Sequence, residues 1–137
     1  MTLQYSVAVR NAKLDAVETA IGTTPILEIW SGTLPANCAA ADAGDGDVLA
    51  TLNLPSDWMD DADAGSKAMA GTWEDSSADA DGTASHFRIK DSTGTTCHAQ
   101  GTVTGTGGGG DMILDNTNFA TGQAFSVTGF TLTAGNS

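Results

Sequence analysis

The sequence is short of positive charge. Five Lys and Arg residues stand against 17 Asp and Glu, which gives a formal net charge of -12 over 137 residues. Eleven of the acidic residues lie between positions 42 and 81, where Lys67 is the only base. A surface of this sign repels nucleic-acid phosphates and anionic lipid headgroups. We therefore expect the protein to bind neither nucleic acid nor membrane.

Large apolar side chains and long hydrophobic runs are also scarce. Leu, Ile, Val and Phe supply only 24 of the 137 residues, and no stretch approaches the roughly 20 apolar residues that cross a bilayer. The first residues do not form the apolar segment of a secretory signal peptide. These absences predict a soluble protein made in the cytoplasm. Its thin core would gain stability from contacts in an oligomer or a larger assembly.

Side chains suited to catalysis or metal binding are few, since the chain has only two His and two Cys. The glycine run ending at Gly110 is followed by Asp111, whereas a phosphate-binding loop needs a lysine there. Cys97 and His98 are neighbours on a predicted strand, so they point to opposite faces. The Asp-rich loops match only part of a calcium-binding pattern. We expect no catalytic residue, metal site or cofactor, and hence no enzyme.

The two cysteines, Cys38 and Cys97, lie far apart in the sequence. A disulfide between them is possible, but a reducing cytoplasm would more often keep both as thiols. Without Cys-x-x-Cys spacing, a structural zinc site is not expected. The sequence leaves the disulfide open.

The clearest periodic pattern predicts an α-helix over residues 5–21. Its apolar stripe recurs at spacings of seven, three and four residues and consists of Val7, Leu14, Val17 and Ile21. Ser6 is suited to cap the start of this helix and Gly22 to follow its end, and Pro25 prevents its continuation. Such a helix usually packs on its own sheet and less often reaches a neighbouring subunit.

After Pro25 the pattern changes to short β-strands. The predicted strands cover residues 26–30, 47–54, 67–73, 85–90, 96–104, 111–115 and 123–133. In the fourth strand Phe87 and Ile89 point one way, whereas His86, Arg88 and Lys90 point the other. In the fifth strand Cys97 faces the core. In the last strand the apolar phase changes, which predicts a β-bulge at Gly129.

The glycine-rich stretch at residues 105–110 lies between two predicted strands that are too close together for a domain linker. We predict that it turns a β-hairpin, as does the DSTGTT segment at 91–96. About seven short strands indicate an antiparallel β-sandwich or jelly-roll-like barrel preceded by one N-terminal α-helix. The expected organisation is a helix and arm over residues 1–24 and a single β-sandwich domain over 25–137.

Several segments together resemble a known family. They are YSVAVRNAKLDAVETAIG, LPANCAAAD, VLATLNLPSDWM, GTWEDSSADADGTASHFRIKDSTGTTCHAQGTVTGTGGGGDMILDN and the closing GFTLTAGN. The chain resembles, over nearly its whole length, small virion structural proteins of tailed bacteriophages. The resemblance implies a non-enzymatic decoration, cement or minor capsid protein that binds the outer face of the capsid and stabilises the head. Its implied partners are the major capsid protein and further copies of itself, most plausibly in a trimer.

Under this expectation the helix supplies the interface with the capsid or a neighbouring subunit. The candidate interface residues are Val7, Arg10, Lys13, Leu14, Val17 and Ile21. The alternative is a tail or head-fibre component that binds a host surface glycan, with Trp30 or Trp58 at its site. An envelope hydrolase would need a metal triad or an activated nucleophile, and the sequence contains neither pattern.

Overall fold

A computed structural model describes residues 2–136. It contains one α-helix and ten strands. In chain order they are α1 (Val7–Ile21), β1 (Ile26–Trp30), β2 (Val48–Asn53), β3 (Ser66–Ala68), β4 (Glu74–Asp75), β5 (Gly82–Thr83), β6 (His86–Lys90), β7 (Cys97–Gly105), β8 (Met112–Leu114), β9 (Asn118–Phe119) and β10 (Phe125–Thr133). Within the described range, no helix is long and apolar enough to cross a membrane.

Helix α1 begins and ends where its capping residues predict. The side chain of Ser6 accepts a hydrogen bond from the backbone N–H of Val9, which satisfies one of the free donors of the first turn. Gly22 follows the last turn with a φ of 94°, a conformation that favours glycine. Its N–H donates to the carbonyl of Glu18. The predicted helix is therefore confirmed, with its first turn starting at Val7.

The protein is mainly β and forms a β-sandwich-like fold. The large sheet has the strand order β2-β1-β6-β7-β8-β10-β3, with β4 also paired to β10, and β5 and β9 form a small second sheet. The pairs are antiparallel except for β7 and β8, which run parallel. The sheet is thus mixed, whereas the sequence pattern predicted an antiparallel one.

The parallel pair shows that the hairpin prediction for the glycine run is wrong. Val103 lies beside Met112 in a parallel register, so the connection must double back along β7. Gly107 and Gly109 take φ values of 82° and 75°, which allow this path. The Thr104 hydroxyl accepts a hydrogen bond from the N–H of Gly110 and holds the returning chain. The pairing covers only three residues, so a short connection is sufficient.

The other strand predictions agree well with the structure. Each of the seven predicted strands has a counterpart, although the third, predicted over 67–73, is observed only at Ser66–Ala68. The pairing of β10 with β8 shifts register between Val127 and Gly129, which confirms the predicted bulge. The DSTGTT segment connects β6 to β7 as an antiparallel hairpin. The two-residue strands β4, β5 and β9 were not predicted, because they are too short to show alternation.

Aromatic side chains supply much of the core volume that the few aliphatic ones leave unfilled. Trp58 and Trp73 are fully buried, with ring centroids 6.0 Å apart. Phe130 continues the cluster at 5.6 Å from Trp73 and 5.5 Å from Phe87. Ile21, at the end of α1, joins the same core. The helix is therefore part of the folded β domain.

Candidate functional site

Helix α1 is held on the sheet by a buried cation. The side chain of Lys67, on β3, is 1% exposed, and its Nζ lies 2.7 Å from Asp15 Oδ1 and 2.9 Å from Glu18 Oε1. It also donates to the carbonyl of Asp60 at 2.8 Å. Burial would lower the pKa of Lys67, but the two helix carboxylates outweigh it and raise this pKa. The hydrogen bond from Lys67 lowers the pKa of Asp15.

Three of the predicted interface residues are used within the chain itself. Leu14 and Ile21 are buried against the β domain. Arg10 is half-buried, and its Nε donates to the carbonyl of Ala134 at 2.8 Å. The backbone N–H of Gly65 donates to the side chain of Asn11 at 2.9 Å. This face of the helix therefore packs on its own sheet, the more common of the two arrangements considered from the sequence.

The other predicted interface residues remain exposed. Lys13 lies over the ring of Tyr5, 4.7 Å from its centroid, and is open to solvent. Four large apolar side chains of the N-terminal segment are exposed by a third or more: Leu3 (66%), Val7 (51%), Val9 (43%) and Val17 (36%). We call these four residues the exposed N-terminal side chains. The periodicity identified Val7 and Val17, but it could not show that they are left uncovered.

Residues 31–47, which connect β1 to β2, lie across the outer side of β6 and are called the covering segment. Alternation correctly placed His86, Arg88 and Lys90 on the side opposite Phe87 and Ile89. All three are nevertheless buried. The segment is also tied to β7, because the Gln100 side chain donates to the carbonyl of Pro35 at 2.7 Å. The side of β6 that faces away from the hydrophobic core is therefore also buried, beneath the covering segment, and its buried side chains are polar.

Arg88 organises the centre of the covering segment. Its side chain is 2% exposed and pairs with Asp42. It also donates to the carbonyls of Cys38 and Ala40, each at 3.0 Å. Lys90 reaches Glu28 at 2.9 Å and Asp42 at 3.0 Å.

The charges in this cluster keep their ionised forms. Burial would raise the pKa of Asp42, but hydrogen bonds from Lys90 and Arg88 outweigh it and lower this pKa. For Lys90, burial opposes ionisation, and the hydrogen bonds to Glu28 and Asp42 raise its pKa. The two cations thus face two carboxylates, so the cluster is an internal ion network with no excess positive charge for an anionic ligand.

Cys97 faces the covering segment, and the prediction that it faces the core is wrong. Ile89 pairs with Ala99 but Lys90 pairs with Cys97, so an extra residue is inserted between the two pairs. This bulge places Cys97 on the same side as Lys90. There its sulfur lies 2.9 Å from that of Cys38. Burial, followed by the hydrogen bond with Cys97, raises the pKa of Cys38 to about 11.

The histidines do not form a catalytic pair with a cysteine. His98 is exposed and His86 is buried. His86 stacks on Trp30, with ring centroids 6.1 Å apart, and its Nδ1 lies 2.8 Å from the hydroxyl of Ser85. Among residues 2–136, no group of three or more His, Cys, Asp or Glu is placed to hold a metal ion.

Comparison with known proteins adds no relative from which a role could be transferred. No protein-family model, no curated protein and no solved structure matches the chain.

Proposed function

We propose that the protein is a non-enzymatic virion structural protein of a tailed phage, which binds the outer face of the capsid as a decoration or cement protein and stabilises the head. The observation that carries this proposal is the set of exposed N-terminal side chains. A chain with so few large apolar residues leaves four of them open to solvent on one short segment. In this proposal the partner covers these side chains and removes them from water.

The charge distribution supports a protein partner of a particular kind. The formal net charge is -12. A surface of this charge disfavours binding to the DNA inside a head, and it helps the protein to resist aggregation at high local concentration. Lys13 is the exposed cation of the helix, since Arg10 is engaged with Ala134. In this proposal Val7 and Val17 contact the major capsid protein, and Lys13 meets an acidic group on it. Further copies of the chain complete a trimer.

The structure does not favour the glycan-binding alternative, because neither candidate tryptophan is accessible to a sugar. That reading places Trp30 or Trp58 in a sugar-binding groove. Trp58 is in the core and Trp30 is covered by its stack with His86. A sugar ring needs an open aromatic face to stack on, and neither residue offers one.

The proposal is tested by co-sedimentation of the purified protein with phage particles that lack it. DNA-filled heads and isolated tails are incubated separately with increasing protein. We expect saturable binding to heads, at a copy number that matches three-fold or local three-fold sites. Binding to tails alone, or to neither particle, contradicts the proposal.

Variants of the exposed residues locate the interface. Val7→Asp and Val17→Asp should each weaken binding to heads by tenfold or more, a loss of about 1.4 kcal/mol. Val7 is 51% exposed in the first turn of the helix, so Val7→Asp should also leave the unfolding curve nearly unchanged. Thr106→Asp adds the same charge at an exposed position in the glycine-rich connection and should bind normally. If Val7→Asp and Val17→Asp bind heads as tightly as Thr106→Asp does, the helix is not the interface. Leu14→Asp is unsuitable because Leu14 is buried within the chain.

A further inference from the structure

We propose that Cys38 and Cys97 are an oxidation site, at which a disulfide fastens the covering segment covalently to β7. The inference does not depend on the proposed function. The two sulfur atoms lie 2.9 Å apart although the residues are 59 positions apart in the sequence. A disulfide needs a separation of about 2 Å, so a small movement of the side chains brings the sulfurs to bonding distance.

Both cysteines are held in place by contacts that do not involve sulfur. The backbone of Cys38 is fixed by Arg88, which binds its carbonyl and that of Ala40. Cys97 is fixed by its place in β7 opposite Lys90, at the bulge that turns it toward the covering segment. The geometry for the bridge is therefore present before oxidation. Little conformational entropy remains to be lost when the bond forms.

The chemistry is thiol–disulfide exchange with a low-molecular-weight disulfide such as oxidised glutathione. The thiolate of one cysteine attacks a sulfur of oxidised glutathione, breaks its S–S bond and releases one glutathione thiolate. The thiolate of the second cysteine then attacks the protein sulfur of the mixed disulfide and releases the second. The two protein thiols lose two electrons, one glutathione disulfide gains them, and the two thiol protons pass to the released glutathione molecules.

The bridge adds a covalent connection where the structure now relies on hydrogen bonds and ion pairs. Residues 31–47 are attached to β6 and β7 through Arg88, Lys90 and Gln100. A disulfide across this contact closes a long loop, which restricts the unfolded chain and raises stability. In a reducing compartment the pair stays as thiols, and in an oxidising one the segment becomes locked.

The test is oxidation of the purified wild-type protein with excess oxidised glutathione at low protein concentration. Free thiols are counted by alkylation after denaturation, intact mass is measured, and thermal unfolding is recorded with and without a reductant. We expect both thiols to disappear, the mass to fall by two hydrogen atoms and Tm to rise by several degrees. Addition of reductant should return all three readouts to their starting values.

Matched single variants separate the bridge from other oxidation products. Cys38→Ser and Cys97→Ser should each keep one thiol or carry one glutathione, with no rise in Tm. Three results for the wild-type protein would overturn the proposal: two thiols that persist, a product that stops at the glutathione adduct, or disulfides found only between chains. A bridge that forms without a rise in Tm would overturn its role as a lock on the covering segment.

Discussion

Lys67 Nζ lies 2.7 Å from Asp15 Oδ1 and joins β3 to the N-terminal helix. The lysine is buried and Asp15 is half-exposed, so loss of the lysine leaves two helix carboxylates beside a site without a cation. We predict that Lys67→Met lowers the free energy of unfolding by about 2 kcal/mol, less than for a fully buried pair. Urea unfolding measures the loss.

Lys13→Met is the control for charge, because it removes the same charge from an exposed position. It should change the unfolding free energy by no more than about 0.5 kcal/mol. Equal losses for the two variants would mean that the ion pair does not hold the helix.

Arg88→Lys should loosen the covering segment without removing a charge. A lysine lacks the planar, five-donor guanidinium that reaches both Asp42 and the carbonyls of Cys38 and Ala40. We predict that native-state alkylation of the Cys38 thiol becomes at least several-fold faster, as measured by mass spectrometry of the peptide. Arg10→Lys, the same change at the helix, should leave this rate unaltered. A rate equal to the wild type in both variants would contradict the role given to Arg88.

His86 should make the protein less stable in mild acid. Burial, and then the nearby Arg88, lower its pKa from the usual 6.5, and these causes outweigh the carboxylates of Asp42 and Asp45. Above pH 6.5 the imidazole is neutral in both the folded and unfolded states. As the pH falls below 6.5, the unfolded state binds a proton that the folded state resists, so the free energy of unfolding decreases.

This effect is distinct from that of carboxylates such as Asp15 and Asp42, whose pKa lies below the ordinary value of 3.8. Their contribution to the free energy of unfolding is lost only as the pH falls below that value. We predict that His86→Gln, although less stable overall, shows a flatter unfolding free energy between about pH 6.5 and 5. Urea unfolding over a pH series provides the measurement, and identical slopes for the two proteins would refute the assignment.

Formation of the Cys38–Cys97 bridge should accelerate with pH. In either order of attack, Cys38 must act once as a thiolate, and its pKa is raised to about 11 by burial and by Cys97. Below that pKa each pH unit increases the thiolate about tenfold. We therefore predict a bridging rate that rises by up to tenfold per pH unit through neutral pH. Timed acid quenching with alkylation follows the rate, and a pH-independent rate would contradict this requirement.

Residue 101 in β7 has no room for a side chain, so glycine is required there. A Cβ at this position would lie 2.7 Å from Asp111 Oδ2 and 2.9 Å from Phe87 Cε1. Asp111 cannot move freely, because it accepts hydrogen bonds from the N–H and hydroxyl of Thr102. Gly101→Ala should cost about 1–3 kcal/mol of unfolding free energy. Gly105→Ala, where a Cβ meets nothing within 4 Å, is the matched control and should be nearly neutral in urea unfolding.

The sequence by itself determined the features that depend on neighbouring residues. The spacing of apolar residues and the caps at Ser6 and Gly22 were sufficient for the helix, since its hydrogen bonds are local. Alternation located seven strands, and the change of phase near Gly129 located the bulge in β10. The exposed side chains Val7 and Val17 belong to a stripe that the sequence identified.

Only the tertiary structure decided which surfaces are covered and which strands meet. Arg88 alternates like an exposed residue, and its burial depends on a segment that lies about 50 positions away in the sequence. The one-residue bulge that turns Cys97 toward Cys38 leaves no mark in the alternation of small residues. The glycine run permits a hairpin or a return path, and pairing with β7 selects the second. These outcomes depend on contacts between segments that are distant in the sequence. Local propensity and periodicity carry no information about such contacts.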